Sequence, residues 1–169
     1  MDYRIEHRER QRFVALVQAF PNEIVNDDSD HSIPDFWTEC SEKNQIEPMK
    51  MLRTEGKRDL YGLCSPVTDS ETHFNYGIGI LIDEDTDTEK LEQMLSNGYL
   101  IWETEPVDYA VFQCIGPDGD CLGETWSRFF KEFVPQTGWT QTEDTDYEIY
   151  FENGESGLFC ELWVPVEKE

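Results

Sequence analysis

At 169 residues, with 38% apolar and 13% aromatic residues spread along the whole length, the chain is long and greasy enough to bury a core of its own, which excludes extended disorder. Thirteen basic against 37 acidic residues give a formal charge of −24, a field that repels phosphate backbones and anionic lipid and gathers organic cations. Five cysteines without a CxxC pair, three histidines without zinc-ligand spacing and the lack of a long apolar run argue against a disulfide framework, a metal site, a cofactor site and a membrane span; buried free thiols in a reducing cytoplasm are the natural reading.

Taken in chain order, residues 3–7 and 13–19 are predicted strands, the second rich in Val, Leu and Phe. Arg4, Arg8, Arg10 and Arg12 crowd this first strand pair, where Asp2, Glu6 and Glu9 offset most of their charge. After a polar loop over 26–31, Ser32 and Asp35 form a capping-box pattern with Pro34 in the first turn. Ile33, Phe36, Trp37 and Cys40 then recur at helical spacing, which places them on one stripe. Strands are predicted over 59–67 and 73–83. In the second, Gly77 and Gly79 leave one face bare, a hint of a cleft wall that a ligand could approach. A short helix fits 86–96, ended by Asn97 and Gly98.

The second half repeats the order. Strands are predicted over 99–103 and 108–115, followed by a turn at 116–120. Leu122, Trp126, Phe129, Phe130 and Phe133 mark an amphipathic helix, read as core, that Pro135 and Gly138 stop. Strands over 146–152 and 158–166 close the chain. Strand–helix–strand–strand therefore occurs twice, in halves of about 1–83 and 99–169 within one domain over 1–169. The fold class is α+β: a duplicated βαββ unit, an SH2-like motif pair with pseudo-twofold symmetry, whose antiparallel sheets carry helices on one face and leave a central cleft.

Six segments in this order resemble the GyrI-like effector-binding domains of AraC-type transcription regulators and multidrug sensors. They are Tyr3–Arg4–Ile5–Glu6, Ile33–Pro34–Asp35–Phe36–Trp37, Phe74–Asn75–Tyr76–Gly77–Ile78–Gly79, Tyr109–Ala110–Val111–Phe112, Tyr147–Glu148–Ile149–Tyr150 and Glu161–Leu162–Trp163–Val164–Pro165–Val166. The resemblance implies a ligand pocket between the halves. It also implies that glutamates of the last two strands, here Glu148 and Glu161, meet cationic aromatic ligands. The acidic 83–90 loop departs from the family pattern.

Side-chain chemistry supports the same region. Period-two alternation sets Phe159, Glu161 and Trp163 on one face of the last strand, so a carboxylate lies in apolar surroundings, costly without a partner. Glu148 shares its face with Tyr150. The expected ligand-binding set is Glu161, Glu148, Trp163, Phe159, Tyr76, Tyr109 and Trp37. A carboxylate between aromatic faces suits a delocalised cation, where cation–π contact of about 0.5–2 kcal/mol adds to ion pairing.

Three functions follow from this reading. The first is a non-catalytic sensor or sequestering module for a hydrophobic cation, with no cofactor and no direct nucleic-acid or membrane contact, acting through a DNA-binding domain or regulator in cis or in trans. The second is a hydrolase of reactive cyclic natural products, with Glu161 activating water and Tyr76 or Tyr109 as the acid. The third is an acidic, gyrase-inhibitor-like protein-binding module.

Overall fold

The computed structural model describes residues 1–21, 32–66 and 73–169. The loop expected over 26–31 and the end of the strand expected over 59–67 lie outside these residues. The described strands are β1 (Arg4–Arg8), β2 (Arg12–Pro21), β3 (Leu60–Cys64), β4 (His73–Ile82), β5 (Leu100–Glu103), β6 (Val107–Ile115), β7 (Trp139–Gln141), β8 (Asp146–Tyr150) and β9 (Leu158–Lys168). The helices are α1 (Ile33–Glu42), α2 (Ile46–Leu52), α3 (Thr88–Ser96), α4 (Asp120–Arg128) and α5 (Val134–Thr137).

Among the described residues the strands form one antiparallel sheet in the order β1-β6-β9-β8-β3-β4-β2-β5, with β7 added to the end of β9. The duplication is visible in this order. Each half runs strand, helix, hairpin, and in each the first strand lies against the last: β2 on β4 and β6 on β9. The halves meet where β3 pairs with β8. The strand preceding each half crosses to the other: β1 flanks β6, and β5 flanks β2. The first two strands are therefore not paired with each other, although they are adjacent in sequence. Their short connection instead sends them to opposite halves.

Local signals explain the helices. Ser32 caps α1, its Oγ accepting from the Asp35 amide at 3.2 Å, with Pro34 in the first turn. Phe36 and Cys40 are buried while Ile33 and Trp37 are half-buried. Asn44, at φ 55, separates α1 from α2, a helix the sequence pattern did not suggest. The second amphipathic helix runs past Pro135, contrary to the expected stop. A π-helical turn at Phe129–Phe133 joins α4 to α5, where proline occupies the first turn and needs no amide partner. Gly138, at φ 78, ends it.

The helices cover one face of the sheet. There, Val14, Leu16, Phe20, Tyr76, Ile78 and Ile80 pack beneath α1, α2 and α3. Ala110, Phe112, Cys160, Leu162 and Val164 pack with Phe129 and Phe133 of the second helical segment. The opposite face has its own core, made of Phe13, Ala15, Tyr61, Leu63, Tyr109, Val111, Tyr147, Ile149 and Trp163. Gly77 and Gly79 belong to this second core. A Cβ on Gly77 would stand 3.1 Å from the Trp102 ring, and one on Gly79 3.0 Å from the Val14 carbonyl. Their bare face is thus filled by the protein itself and is not a cleft wall. Among the described residues no helix is long and apolar enough to cross a membrane, and no group of three or more His, Cys, Asp or Glu is arranged to hold a metal ion.

Candidate functional site

Between α1 and α4, over the paired central strands β3 and β8, the helix side of the sheet is left open as a cavity of about 980 Å³. Its origin is local. Each helix packs on its own half, so the seam between halves lies beneath neither. At that seam β3 contributes Gly62, whose lack of a side chain makes room for the Tyr76 hydroxyl and the Glu148 carboxylate of the floor. A Cβ there would fall 2.1 Å from the Tyr76 hydroxyl and 2.5 Å from Glu148 Oε1, so an alanine could be accommodated only by parting those two groups.

The floor carries a directed chain of hydrogen bonds. Trp37 Nε1 donates to the Tyr76 hydroxyl at 2.9 Å, and that hydroxyl donates to Glu148 Oε1 at 2.6 Å. The Tyr150 hydroxyl donates to the same oxygen at 3.2 Å. Glu148 is 7% exposed, and among the described residues it forms no ion pair and receives no donor on Oε2. Burial pushes its carboxyl up to about 7, against the pull of the two tyrosine hydroxyls. Asp146, half-buried on the same face of β8, is also raised, first by burial and then by the neighbouring Glu148.

The walls are aromatic and aliphatic. Trp37, Ile33 and Pro34 stand on one side, with Trp126, Phe130 and Leu122 of the second helical segment on the other. Tyr150 links the floor to both ends: its ring meets Trp37 edge-on at 5.1 Å and Phe159 edge-on at 5.5 Å. Trp126 and Phe130 stack, with centroids 6.0 Å apart. The charged lining residues among those described are Glu143, Asp146 and Glu148, with no Lys, Arg or His.

Four of the seven residues singled out from the sequence line this cavity: Glu148, Tyr76, Trp37 and Phe159. The other three, Glu161, Trp163 and Tyr109, lie on the opposite face of the sheet. Glu161 is 5% exposed and neutralised there. Arg4 donates to both its oxygens, at 3.0 and 3.1 Å, and Trp163 Nε1 donates at 3.2 Å. Tyr109 is buried, its hydroxyl 3.3 Å from the Thr145 carbonyl.

Simple alternation misplaced Phe159 because β9 is bulged. Cys114 pairs with Cys160, but Ile115 pairs with Leu158, so Phe159 is the extra residue and joins Cys160 on the helix side. Sequence reasoning also passed over Tyr150, Asp146, Trp126 and Phe130. Alternation along β8 gives Asp146 and Tyr150 the same face as Glu148, which could have found them. The helix carries two rows: Cys121, Thr125, Phe129 and Phe133 face the core, while Leu122, Trp126 and Phe130 face the cavity.

Comparison with solved structures places the fold. SAV2435, solved bound to tetraphenylphosphonium, superposes with a TM-score of 0.76 at 17% identity, over 99% of this chain and 94% of that one. The integron cassette protein VCH_CASS2 from the mobile metagenome of Vibrio cholerae gives 0.65 at 16% identity, over 98% and 95%. The C-terminal domain of EcmrR gives 0.62 at 11% identity, over 99% and 98%. At such identities the likeness concerns the fold, and it agrees with the GyrI-like resemblance carried by the sequence motifs. No curated protein matches the chain in sequence. The family model for Cass2, the integron-associated effector binding protein, matches residues 4–166, nearly the whole chain, which therefore belongs to that effector-binding family.

Proposed function

We propose that the chain binds small, apolar organic cations in the cavity over β3 and β8, as one effector-binding domain over residues 1–169. It would act in the cytoplasm as a sensor or sequestering protein, or as the effector part of a transcription regulator whose DNA-binding domain lies in cis or in trans.

One observation carries this reading: Glu148 is buried at the floor of a large apolar hollow and, among the described residues, no positive side chain stands beside it. Burying a carboxylate without a counter-charge is unfavourable, and among the described residues only two phenols meet it, both on one oxygen. A cationic guest would supply the missing charge. The walls suit the rest of such a guest, because Trp37, Trp126, Phe130 and Phe159 offer ring faces for apolar burial and cation–π contact. The tetraphenylphosphonium seen in SAV2435 has this chemistry. Glu161, on the far face of the sheet, is held by Arg4 and is not among the residues that line this cavity.

The reading is tested by isothermal titration with tetraphenylphosphonium and with neutral triphenylphosphine oxide. The cation should bind one-to-one and at least about tenfold more tightly than the neutral compound, and Glu148→Gln should remove most of that preference. Equal affinity for the two compounds, or no saturable binding of the cation, would reject it.

A further inference from the structure

The floor of the cavity holds a second anionic group, which follows the same strand geometry as the first. Residues two apart in a strand project to one side, so Asp146 and Glu148 stand on the same face of β8, and both line the cavity. Their partners across β3 are Cys64 and Gly62, a thiol and a residue with no side chain. Neither carboxylate has an ion pair among the described residues, in contrast to Glu161 with its arginine. A guest with one positive charge would satisfy one of them and leave the other unpaired beside it, either repelling or held as the acid.

Resting on the reading of the cavity as a cation site, we propose that its preferred guests are organic dications. Their two positive centres would be held about 6–7 Å apart by a flat apolar spacer, the spacing of two residues along a strand. One centre lies against Asp146 and the other against Glu148. The spacer runs between the α1 wall at Trp37 and the opposite wall at Trp126, whose rings favour a flat aromatic body. Asp146 is in this account the residue that counts the charge of the guest, while Glu148 holds whichever cation enters.

The experiment compares methyl viologen with N-methyl-4-phenylpyridinium. The two have nearly the same size and shape and differ by one positive charge. Each is titrated into the full chain at about pH 8, with tetraphenylphosphonium as the reference cation. The dication should bind at least about tenfold more tightly than its singly charged match. Asp146→Asn should bring the two within about twofold of each other, while an unchanged near-ultraviolet circular dichroism spectrum, which reads the aromatic walls, shows that the variant keeps its fold. Glu148→Gln should weaken all three. General attraction to the acidic surface does not mimic this result, because Asp146→Asn removes only one unit from a formal charge of −24.

Equal affinity for the matched pair in the wild type would overturn the inference, as would a dication preference that survives Asp146→Asn. If tetraphenylphosphonium binds and the dication is not preferred, only the dication inference fails. If tetraphenylphosphonium does not bind either, the cation reading of the cavity fails with it.

Discussion

The sheet buries one glutamate on each face, and the two are handled in opposite ways. On the face away from the helices, Glu161 is locked between the Arg4 guanidinium and the Trp163 indole, inside a core of close-packed aromatic rings. On the helix face, Glu148 is buried to a similar degree but, among the described residues, is bonded only by the hydroxyls of Tyr76 and Tyr150, and it borders open volume. The comparison teaches that burial of a carboxylate does not by itself mark a binding group. What distinguishes Glu148 is the missing counter-charge beside space large enough for a guest. Glu161, with its charge matched from within the chain, ties the first strand to the last and leaves nothing for a ligand to complete.

Replacing each glutamate by its neutral isostere should break this contrast with opposite signs. The larger effect belongs to Glu148→Gln. The Glu148 carboxyl titrates near 7 when folded, against an ordinary value of 4.5. Below the lower value both folded and unfolded chains hold the proton, and its burial is without penalty. Between the two the unfolded chain releases it first, so stability falls as pH rises. Above about 7 the empty protein bears the whole cost, about 3 kcal/mol. Urea unfolding of the unliganded proteins should therefore find Glu148→Gln more stable than wild type near pH 8, with the gain shrinking toward pH 5. A loss of stability at pH 8 would place Glu148 in the structural class of Glu161.

Glu161→Gln should act in the other direction and more weakly. It removes the anionic half of the pair with Arg4, and because the Arg4 side chain is 46% exposed, solvent screens part of the effect. A destabilisation of about 1 kcal/mol is expected, with tetraphenylphosphonium affinity of the folded protein unchanged within about twofold. A tenfold loss of affinity in this variant would join the two faces into one site.

Much of this arrangement was legible in the sequence, and the exceptions have physical causes. The Ser32 cap, the α1 stripe and the repeated order of elements all rest on local patterns, and the structure shows each of them. So does the shared face of Glu148 and Tyr150. What local patterns cannot carry is which face of a strand buried on both sides looks onto the cavity. For β9 the two faces are equally apolar, and the bulge at Phe159 breaks the alternation that would have linked it to Glu161. The partner that neutralises Glu161 lies 157 residues away, and it arrives only because β1 crosses to the second half. The pairing of Tyr76 with Glu148 on the floor depends on Gly62, a single residue whose role emerges only when those two groups meet above it.

The central claim is that Glu148 is the charge a cationic guest answers, and the pH dependence of tetraphenylphosphonium affinity tests it most directly. Tyr76, Tyr150, Asp146 and Cys64 also face this part of the cavity. Among them Asp146 titrates in the same direction as Glu148, while burial keeps the two phenols and the thiol neutral. In the wild type, affinity should rise as pH increases through about 7, where the Glu148 carboxyl loses its proton, and then level off. In Glu148→Gln it should be at least about tenfold weaker at pH 8 and much less dependent on pH. An affinity that is flat with pH in the wild type, or a rise of the same size in Glu148→Gln, would contradict the account.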